Sequence, residues 1–301
     1  MHIGFIGLGL MGRPMALHFA RAGHVLHLWA RRQASFDPFA TARTAGQAQF
    51  HASPADVARQ AEVVFTMVAA GQDVETICFG ENGLVHGAAP GTLMVDMSTI
   101  GAQAARSIGE RLAARGLEFV DAPVSGGEAG AIDATLSIMV GGRAECVEKL
   151  RPLFTLLGRS VTHVGTCGAG QVAKSCNQIL AGVTVLAVAE ALHLARQSGV
   201  DPAKVREALL GGFAYSKILE HHGRRMLEGN FKPGFKTWMQ QKDLRLVMEE
   251  AHRLGLMLPS AATATQMFNA LVGHGLGEED TVAMLKLLEA VAAPERGKDT
   301  N

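Results

Sequence analysis

Aromatic side chains are scarce in this 301-residue sequence, at 5%, with a single Tyr and two Trp. Platforms on which nucleic-acid bases stack are built from such rings, so their shortage argues against single-strand binding. Charge of one sign is missing as well. The 28 Lys and Arg balance 28 Asp and Glu, which removes the basic footprint expected of a protein that binds nucleic acid or an anionic membrane. An anionic ligand must then be held by a few placed groups.

Cysteine is also sparse. Cys78, Cys146, Cys167 and Cys176 contain no C-x-x-C pair, and a chain this long needs no disulfide staples, so they read as reduced, hydrophobe-like thiols of a cytoplasmic protein. Residues 175–189 carry no charge, but this run is bracketed by Lys174 and Glu190 and falls short of the roughly 20 apolar residues that span a bilayer. It reads as a buried helix of a soluble protein. The apolar N-terminus lacks a basic leader segment and carries Arg13 and Arg21, so it reads as a first strand and helix rather than a secretion signal. No metal site is expected: His221 and His222 are adjacent and point to different sides of a helix, and no His-x-x-x-His with a nearby acid occurs.

What the sequence has in excess is glycine, 35 residues where average usage of about 7% gives about 21. With no period and 10 Pro, the excess points to tight turns and close backbone approaches. The hydrophobic share is 48%, enough for two cores, and the length fits two domains of the usual size, about 100–200 residues each.

The first half alternates strand-like runs with helical patterns. HIGFIG, HVLHLWA, EVVFTMV, TLMVDMS, LEFVDAP, LSIMVGG and SVTHVG read as strands, with helices to about residue 22 and near 103–115 and 144–157. That alternation predicts an α/β fold with a parallel, doubly wound sheet. From about residue 171 everything reads as helix, over 171–197, 201–211, 216–227, 238–254, 260–273 and 281–292, with Asp201-Pro202 as a helix start. The predicted domains are 1–165, a dinucleotide-binding Rossmann domain, and 166–293, all-helical, followed by a frayed tail at 294–301.

The strand HIGFIG runs into Gly7-Leu8-Gly9-Leu10-Met11-Gly12, a G-x-G-x-x-G between a strand and a helix. The first Gly permits the tight turn, the second lets a pyrophosphate reach the backbone, and the third lets helix pack on strand. At the end of the second strand an NAD binder usually offers a carboxylate to the ribose. Here the chain reads Trp29-Ala30-Arg31-Arg32. Two guanidiniums and no carboxylate favour NADP(H), with NAD(H) possible. In Asp121-Ala122-Pro123-Val124-Ser125-Gly126-Gly127 a hydroxyl and two Gly amides form donors for a carboxylate, or else a plain turn. Lys174 opens an otherwise uncharged helix. It is either a snorkelling lysine or a proton donor in hydride transfer. Asn177 and Gln178, three and four residues on, share its side of the helix and can orient a substrate hydroxyl.

Together GFIGLGLMG, DAPVSGG, GAGQVAK and QKDL, in this order over about residues 1–292, resemble the β-hydroxyacid dehydrogenase family. The resemblance implies a Rossmann domain joined by a long helix to a helical domain, with Lys174 as general acid and base. It places Gly7, Gly9 and Gly12 at the pyrophosphate and Met67, Val68 and Thr99 on the nicotinamide side. Ser125, Gly126 and Gly127 would grip the substrate carboxylate, and Lys242 of Gln241-Lys242-Asp243-Leu244 would lie near cofactor and substrate.

Many members have Asn four residues after the lysine, where this chain has Gln178 preceded by Asn177; the tartronate semialdehyde branch looks the same as this chain here, and Asn230-Phe231-Lys232-Pro233-Gly234-Phe235 resembles that branch too. The segment Lys236-Thr237-Trp238-Met239 departs from it, and Trp238 can reshape the distal pocket. The expected substrate is therefore a small carboxylated aldehyde, tartronate semialdehyde (2-hydroxy-3-oxopropionate), with 3-hydroxyisobutyrate, methylmalonate semialdehyde, glyoxylate and succinic semialdehyde as alternatives. More distant alternatives are an imine reductase and a catalytically silent nucleotide-binding module. The Ala- and Leu-rich helical half predicts a homodimer or homotetramer.

Overall fold

A computed structural model describes residues 1–41 and 48–292, so the tail expected at 294–301 lies outside the described residues. The strands are β1 (His2–Ile6), β2 (Val25–Trp29), β3 (Ala48–Phe50), β4 (Val63–Thr66), β5 (Leu93–Asp96), β6 (Glu118–Asp121), β7 (Val124–Ser125), β8 (Leu136–Gly141) and β9 (Gly158–Gly165). The helices of the first half are α1 (Gly12–Arg21), α2 (Asp37–Thr41), α3 (Pro54–Gln60), α4 (Gly71–Phe79), α5 (Ala102–Ala113), α6 (Gly127–Ile132) and α7 (Ala144–Phe154). They are followed by α8 (Ala169–Gln197), α9 (Pro202–Leu210), α10 (Lys217–Leu227), α11 (Thr237–Leu254), α12 (Pro259–Gly273) and α13 (Met284–Ala292). The chain divides into two compact units, Met1–Ser175 and a second beginning at Cys176, so α8 starts in one and continues in the other.

The first unit holds one sheet in the order β3-β2-β1-β4-β5-β6-β8-β7, with β9 pairing β8. The strands from β3 to β6 are parallel, as the strand-helix alternation predicts. The sheet is not parallel throughout. β8 runs antiparallel to β6 and β7, because after β6 the chain spends its residues on β7 and the short α6 and returns without the long crossover that a parallel neighbour requires. Two of the strands, β3 and β7, carry too few residues to show an alternating pattern.

Successive strand residues point to opposite faces, and both faces are buried. Ile3, Phe5, Val63, Phe65, Leu93 and Val95 enter one core, and Ile6, Val64 and Met94 the other. Phe65 packs on Phe19 at 4.8 Å and on Phe5 at 6.1 Å between ring centroids. Truncating a ring buried this way to Ala costs about 3–5 kcal/mol.

The second unit is helical. Its core gathers Val185, Leu186, Val188, Ala189 and Leu192 of α8 with Leu219 and Met226 of α10, Leu244 of α11, Phe268 and Leu271 of α12, and Leu285 and Leu287 of α13. Starts and stops follow local chemistry: Asp201 accepts from the Ala203 amide and Ser216 from the Leu219 amide, and Gly255 ends α11 in the left-handed region at φ 65°. At 29 residues, with mean hydropathy 1.7 over its most apolar stretch, α8 is long and apolar enough to cross a membrane by length and composition alone. It extends past the charge-free run at both ends, through Lys174 and Glu190. The apolar side chains it contributes to the core of the second unit account for part of that hydropathy.

Candidate active site

β1 delivers the glycine loop to the sheet's carboxyl edge. Gly7 adopts φ 97°, and a Cβ there would lie 2.2 Å from the Met67 carbonyl oxygen. At Gly12 a Cβ would meet the Gly7 carbonyl at 1.9 Å, whereas one at Gly9 would enter open space. The outer glycines thus close the turn and the central one leaves room above the backbone. Leu8 is buried beneath the loop and Leu10 is exposed. Met11 precedes α1 without a side-chain cap; in the first turn Pro14 carries no N–H and the Arg13 amide donates to the Gly9 carbonyl at 3.1 Å, so the Gly12 amide is the donor this helix start offers an anion. This cradle fits a dinucleotide pyrophosphate. Arg31 and Arg32 follow β2, both exposed, and Arg31 pairs with Asp73 of α4 at 3.4 Å.

Two loops flank the cradle. Met67 and Val68 continue β4, and the Val68 amide donates to Ser98 Oγ at 2.9 Å. Ser98 follows β5 and precedes Thr99. Its hydroxyl donates to Asp96 Oδ1 at 2.7 Å, and the Thr66 hydroxyl donates to the same oxygen at 2.7 Å. Burial pushes the Asp96 carboxyl up to about 6, against the pull of these donors.

Beyond β6, Gly126 and Gly127 adopt φ 141° and 63°. The turn therefore exposes backbone in a form that side-chain-bearing residues avoid. Lys174 is only 7% exposed, and its ammonium donates to the Val124 carbonyl at 2.9 Å. The structure thereby joins Lys174 to the Ser125-Gly126-Gly127 segment, fifty positions away in sequence. Asp121 fixes the start of α8: its carboxylate accepts from the Gly168 amide at 2.7 Å and the Gln171 amide at 2.9 Å. Burial raises this carboxyl too, to about 6, with the Gly168 and Gln171 amides opposing the rise.

In the second unit, Gln178 Nε2 donates to Asp243 Oδ2 at 2.6 Å and to Gln240 Oε1 at 3.0 Å, while its Oε1 accepts from Asn177 Nδ2 at 2.7 Å. The Gln178 amide is thus fully engaged with protein groups. Asp243, buried, also faces the ammonium of the partly buried Lys242 at 2.9 Å. Gln240, Asp96 and Gln171 carry much of this geometry and were not among the residues singled out by sequence. A carboxylate inside the apolar run TLMVDMS is the signal that would have found Asp96, by the same argument that flags Lys174. Among the described residues no group of three or more His, Cys, Asp or Glu is placed to hold a metal.

Comparison with known proteins accords with this arrangement. A family model of the NAD binding domain of 6-phosphogluconate dehydrogenase matches residues 2–165, and one described as NAD-binding of NADP-dependent 3-hydroxyisobutyrate dehydrogenase matches residues 168–288. The 2-hydroxy-3-oxopropionate reductase of Escherichia coli K12 is 43% identical over 97% of this chain and 98% of its own length. The NAD-dependent L-serine dehydrogenase of Pseudomonas aeruginosa is 36% identical over 95% of this chain and 97% of its own. A solved structure of Mycobacterium tuberculosis 3-hydroxyisobutyrate dehydrogenase with L-serine aligns at TM-score 0.86 and 30% identity, covering 95% of this chain and 98% of that one. With the glycine cradle, the Ser-Gly-Gly turn and the buried lysine in place, the chain belongs to the β-hydroxyacid dehydrogenase family of NAD(P)-binding oxidoreductases, those of the 3-hydroxyisobutyrate dehydrogenase type.

Proposed function

We propose that this protein is an NADP(H)-dependent reductase of a small aldehyde bearing a carboxylate, 2-hydroxy-3-oxopropionate, and catalyses the reverse oxidation of the corresponding hydroxyacid. One observation carries the reading: a buried ammonium, Lys174, is tied to the carbonyl immediately before a Ser-Gly-Gly turn. The turn offers a hydroxyl and two amides to a carboxylate, and the ammonium offers a proton beside it.

The glycine cradle of Gly7, Gly9 and Gly12 would hold NADP(H), which when bound would supply the hydride for reduction and accept it in oxidation. Lys174 donates a proton to the carbonyl oxygen as the carbon is reduced, and the neutral amine recovers it from the hydroxyl in the reverse direction. Ser125, Gly126 and Gly127 hold the substrate carboxylate. Asn177 orients the hydroxyl, and Gln178, whose own amide is engaged, holds Asn177. Lys242, braced by Asp243, serves the cofactor and the acid group.

NADP(H) is favoured over NAD(H) because Arg31 and Arg32 follow β2 where an NAD binder usually carries a carboxylate, and the Asp73 carboxylate of α4 that lies near them is paired with Arg31. The Arg31–Asp73 pair is largely exposed, worth at most about 1 kcal/mol, and so yields readily to a phosphate. We place the protein in the cytoplasm, in keeping with four free cysteines. We also propose a homodimer or homotetramer. No residue of α9 is buried in the chain, Phe213 is fully exposed, and Leu180 and Leu194 of α8 stand mostly in solvent.

The test is a kcat/KM ranking of NADPH and NADH against 2-hydroxy-3-oxopropionate, methylmalonate semialdehyde, succinic semialdehyde, glyoxylate, L-serine, 3-hydroxyisobutyrate and a cyclic imine. The reading requires 2-hydroxy-3-oxopropionate with NADPH to lead. A higher rank for L-serine, 3-hydroxyisobutyrate or the imine replaces it, and NADPH binding without turnover of any compound makes the protein a silent member.

A further inference from the structure

Gln171 lies in the first turn of α8, three residues ahead of Lys174, and is 1% exposed. Its amide grips the chain on both sides of Thr99. Oε1 accepts from the backbone amides of Ile100 at 3.0 Å and Gly101 at 3.1 Å, and Nε2 donates to the Ser98 carbonyl at 2.8 Å. A primary amide suits this task, with an oxygen for two N–H groups and a donor for one carbonyl.

Both ends of this link are anchored. On one side Ser98 joins the Val68 amide to Asp96, and Asp96 joins Thr66, so the loops after β4 and β5 form one hydrogen-bonded body. On the other side Asp121 holds the Gly168 and Gln171 amides. Gly170 approaches the sheet so closely that a Cβ would lie 2.4 Å from the Met139 carbonyl. The start of α8 therefore has little freedom to shift. Gln171 connects the body that carries Met67, Val68 and Thr99 to the helix that carries Lys174.

We propose that Gln171 is a positioning residue for hydride transfer: it fixes the Thr99 loop at a set offset from Lys174. The inference rests on the function proposed above, in which Lys174 delivers the proton, and on the family resemblance, which implies that Thr99 lines the nicotinamide side. Its physical basis is that a displacement of about 1 Å at reacting groups costs on the order of 10²-fold in rate.

The experiment compares wild type with Gln171→Ala, Gln171→Glu and Lys174→Ala, reading kcat, both KM values, the primary isotope effect with 4-deuterated NADPH, NADPH affinity by fluorescence, and thermal melting. Gln171→Ala is expected to lower kcat by roughly 10- to 100-fold and raise the isotope effect, with the KM for NADPH changed by less than about threefold. In Gln171→Glu an ionised carboxylate confronts the Ser98 carbonyl, whereas a protonated one restores both the donor and the acceptor. Its kcat relative to wild type should therefore rise as pH falls from 8 to 5.5. The buried Asp96 and Asp121 carboxyls flank the site, and their negative charge disfavours ionisation of the introduced Glu, which moves its protonation up toward this window.

A Gln171→Ala enzyme whose folded fraction keeps wild-type kcat and isotope effect overturns the inference, as does a loss confined to melting temperature or KM. The Lys174→Ala arm separates the two claims. If that variant is inactive while Gln171→Ala is normal, only the positioning role fails; if Lys174→Ala is fully active, the proposed function itself fails.

Discussion

The Lys174 ammonium reaches the Val124 carbonyl at 2.9 Å, so the charged head of an α8 side chain sits against the strand that leads into Ser125-Gly126-Gly127. Burying a lysine without partners is costly, and hydrogen bonding to the protein offsets that cost while leaving the group beside a set of anion donors. The arrangement brings the proposed proton source beside the proposed carboxylate cradle within the first unit.

Gly126 tests the cradle. Its φ of 141° disfavours any side chain, and a Cβ would press on Leu136 at 3.1 Å. Gly126→Ala is expected to raise the substrate KM by on the order of tenfold or more, through backbone strain of about 1–3 kcal/mol. NADPH affinity, measured by fluorescence titration, should stay within about twofold. An equal loss of both affinities would mean that the turn supports the whole domain rather than the substrate.

Arg31 and Arg32 test the cofactor preference. Charge-assisted hydrogen bonds contribute about 1.5–3 kcal/mol, so the double replacement by Ala should reduce the ratio of kcat/KM for NADPH over NADH by roughly 10- to 100-fold. Steady-state kinetics with both cofactors measures this ratio directly. An unchanged ratio would place 2′-phosphate recognition elsewhere.

His27 governs part of the acid stability. His2, His27 and His51 form a chain of imidazoles with nitrogens 2.9 and 3.0 Å apart, and burial, helped by His51 and His2, lowers the His27 pKa to about 4. The unfolded chain then binds more protons than the folded one between about pH 4 and 6.5, so this group's contribution to stability falls as pH drops through that window. Asp96 and Asp121, raised to about 6, act with the opposite sign over about pH 4–6. His27→Gln removes the histidine component alone. Denaturant unfolding at pH 7 and pH 4 should show the variant losing less stability on acidification than wild type, by up to about 3 kcal/mol at about 1.4 kcal/mol per pKa unit. Equal losses would show that the buried imidazole does not control this window.

Light scattering at micromolar concentration tests the assembly. α9, which has no fully buried residue, and the exposed Phe213, Leu180 and Leu194 predict a dimer or tetramer. A monomeric mass would leave those apolar side chains without the proposed occupant. Leu180→Glu with Leu194→Glu should shift the mass toward monomer while the circular dichroism of the chain is retained.

Much of this was legible in the sequence because the relevant signals are local. β1, β2, β4, β5 and β6 are short apolar runs between turns, and Asp201-Pro202 marks a helix start within one residue. The glycine loop is legible because its geometry is made by neighbours in the chain. β3 is three residues long with two of them exposed, so it offers no apolar pattern. α3 was missed although Ser53-Pro54 is a capping signal. Residues acting at long range were hidden for another reason. Gln171 meets Ser98 across 73 positions and Gln178 meets Asp243 across 65, and uncharged amides inside an apolar helix give no sign of which distant groups they satisfy. The antiparallel β8 was likewise hidden, since direction depends on how the chain returns rather than on strand composition.

The central claim is that Lys174 supplies the proton for reduction of a carboxylated semialdehyde. Its most direct test is the turnover of Lys174→Ala with NADPH and 2-hydroxy-3-oxopropionate, measured beside its NADPH affinity. The expected result is a fall in kcat of on the order of 10² or more with NADPH affinity nearly intact. A variant that turns over within a few-fold of wild type would contradict the account.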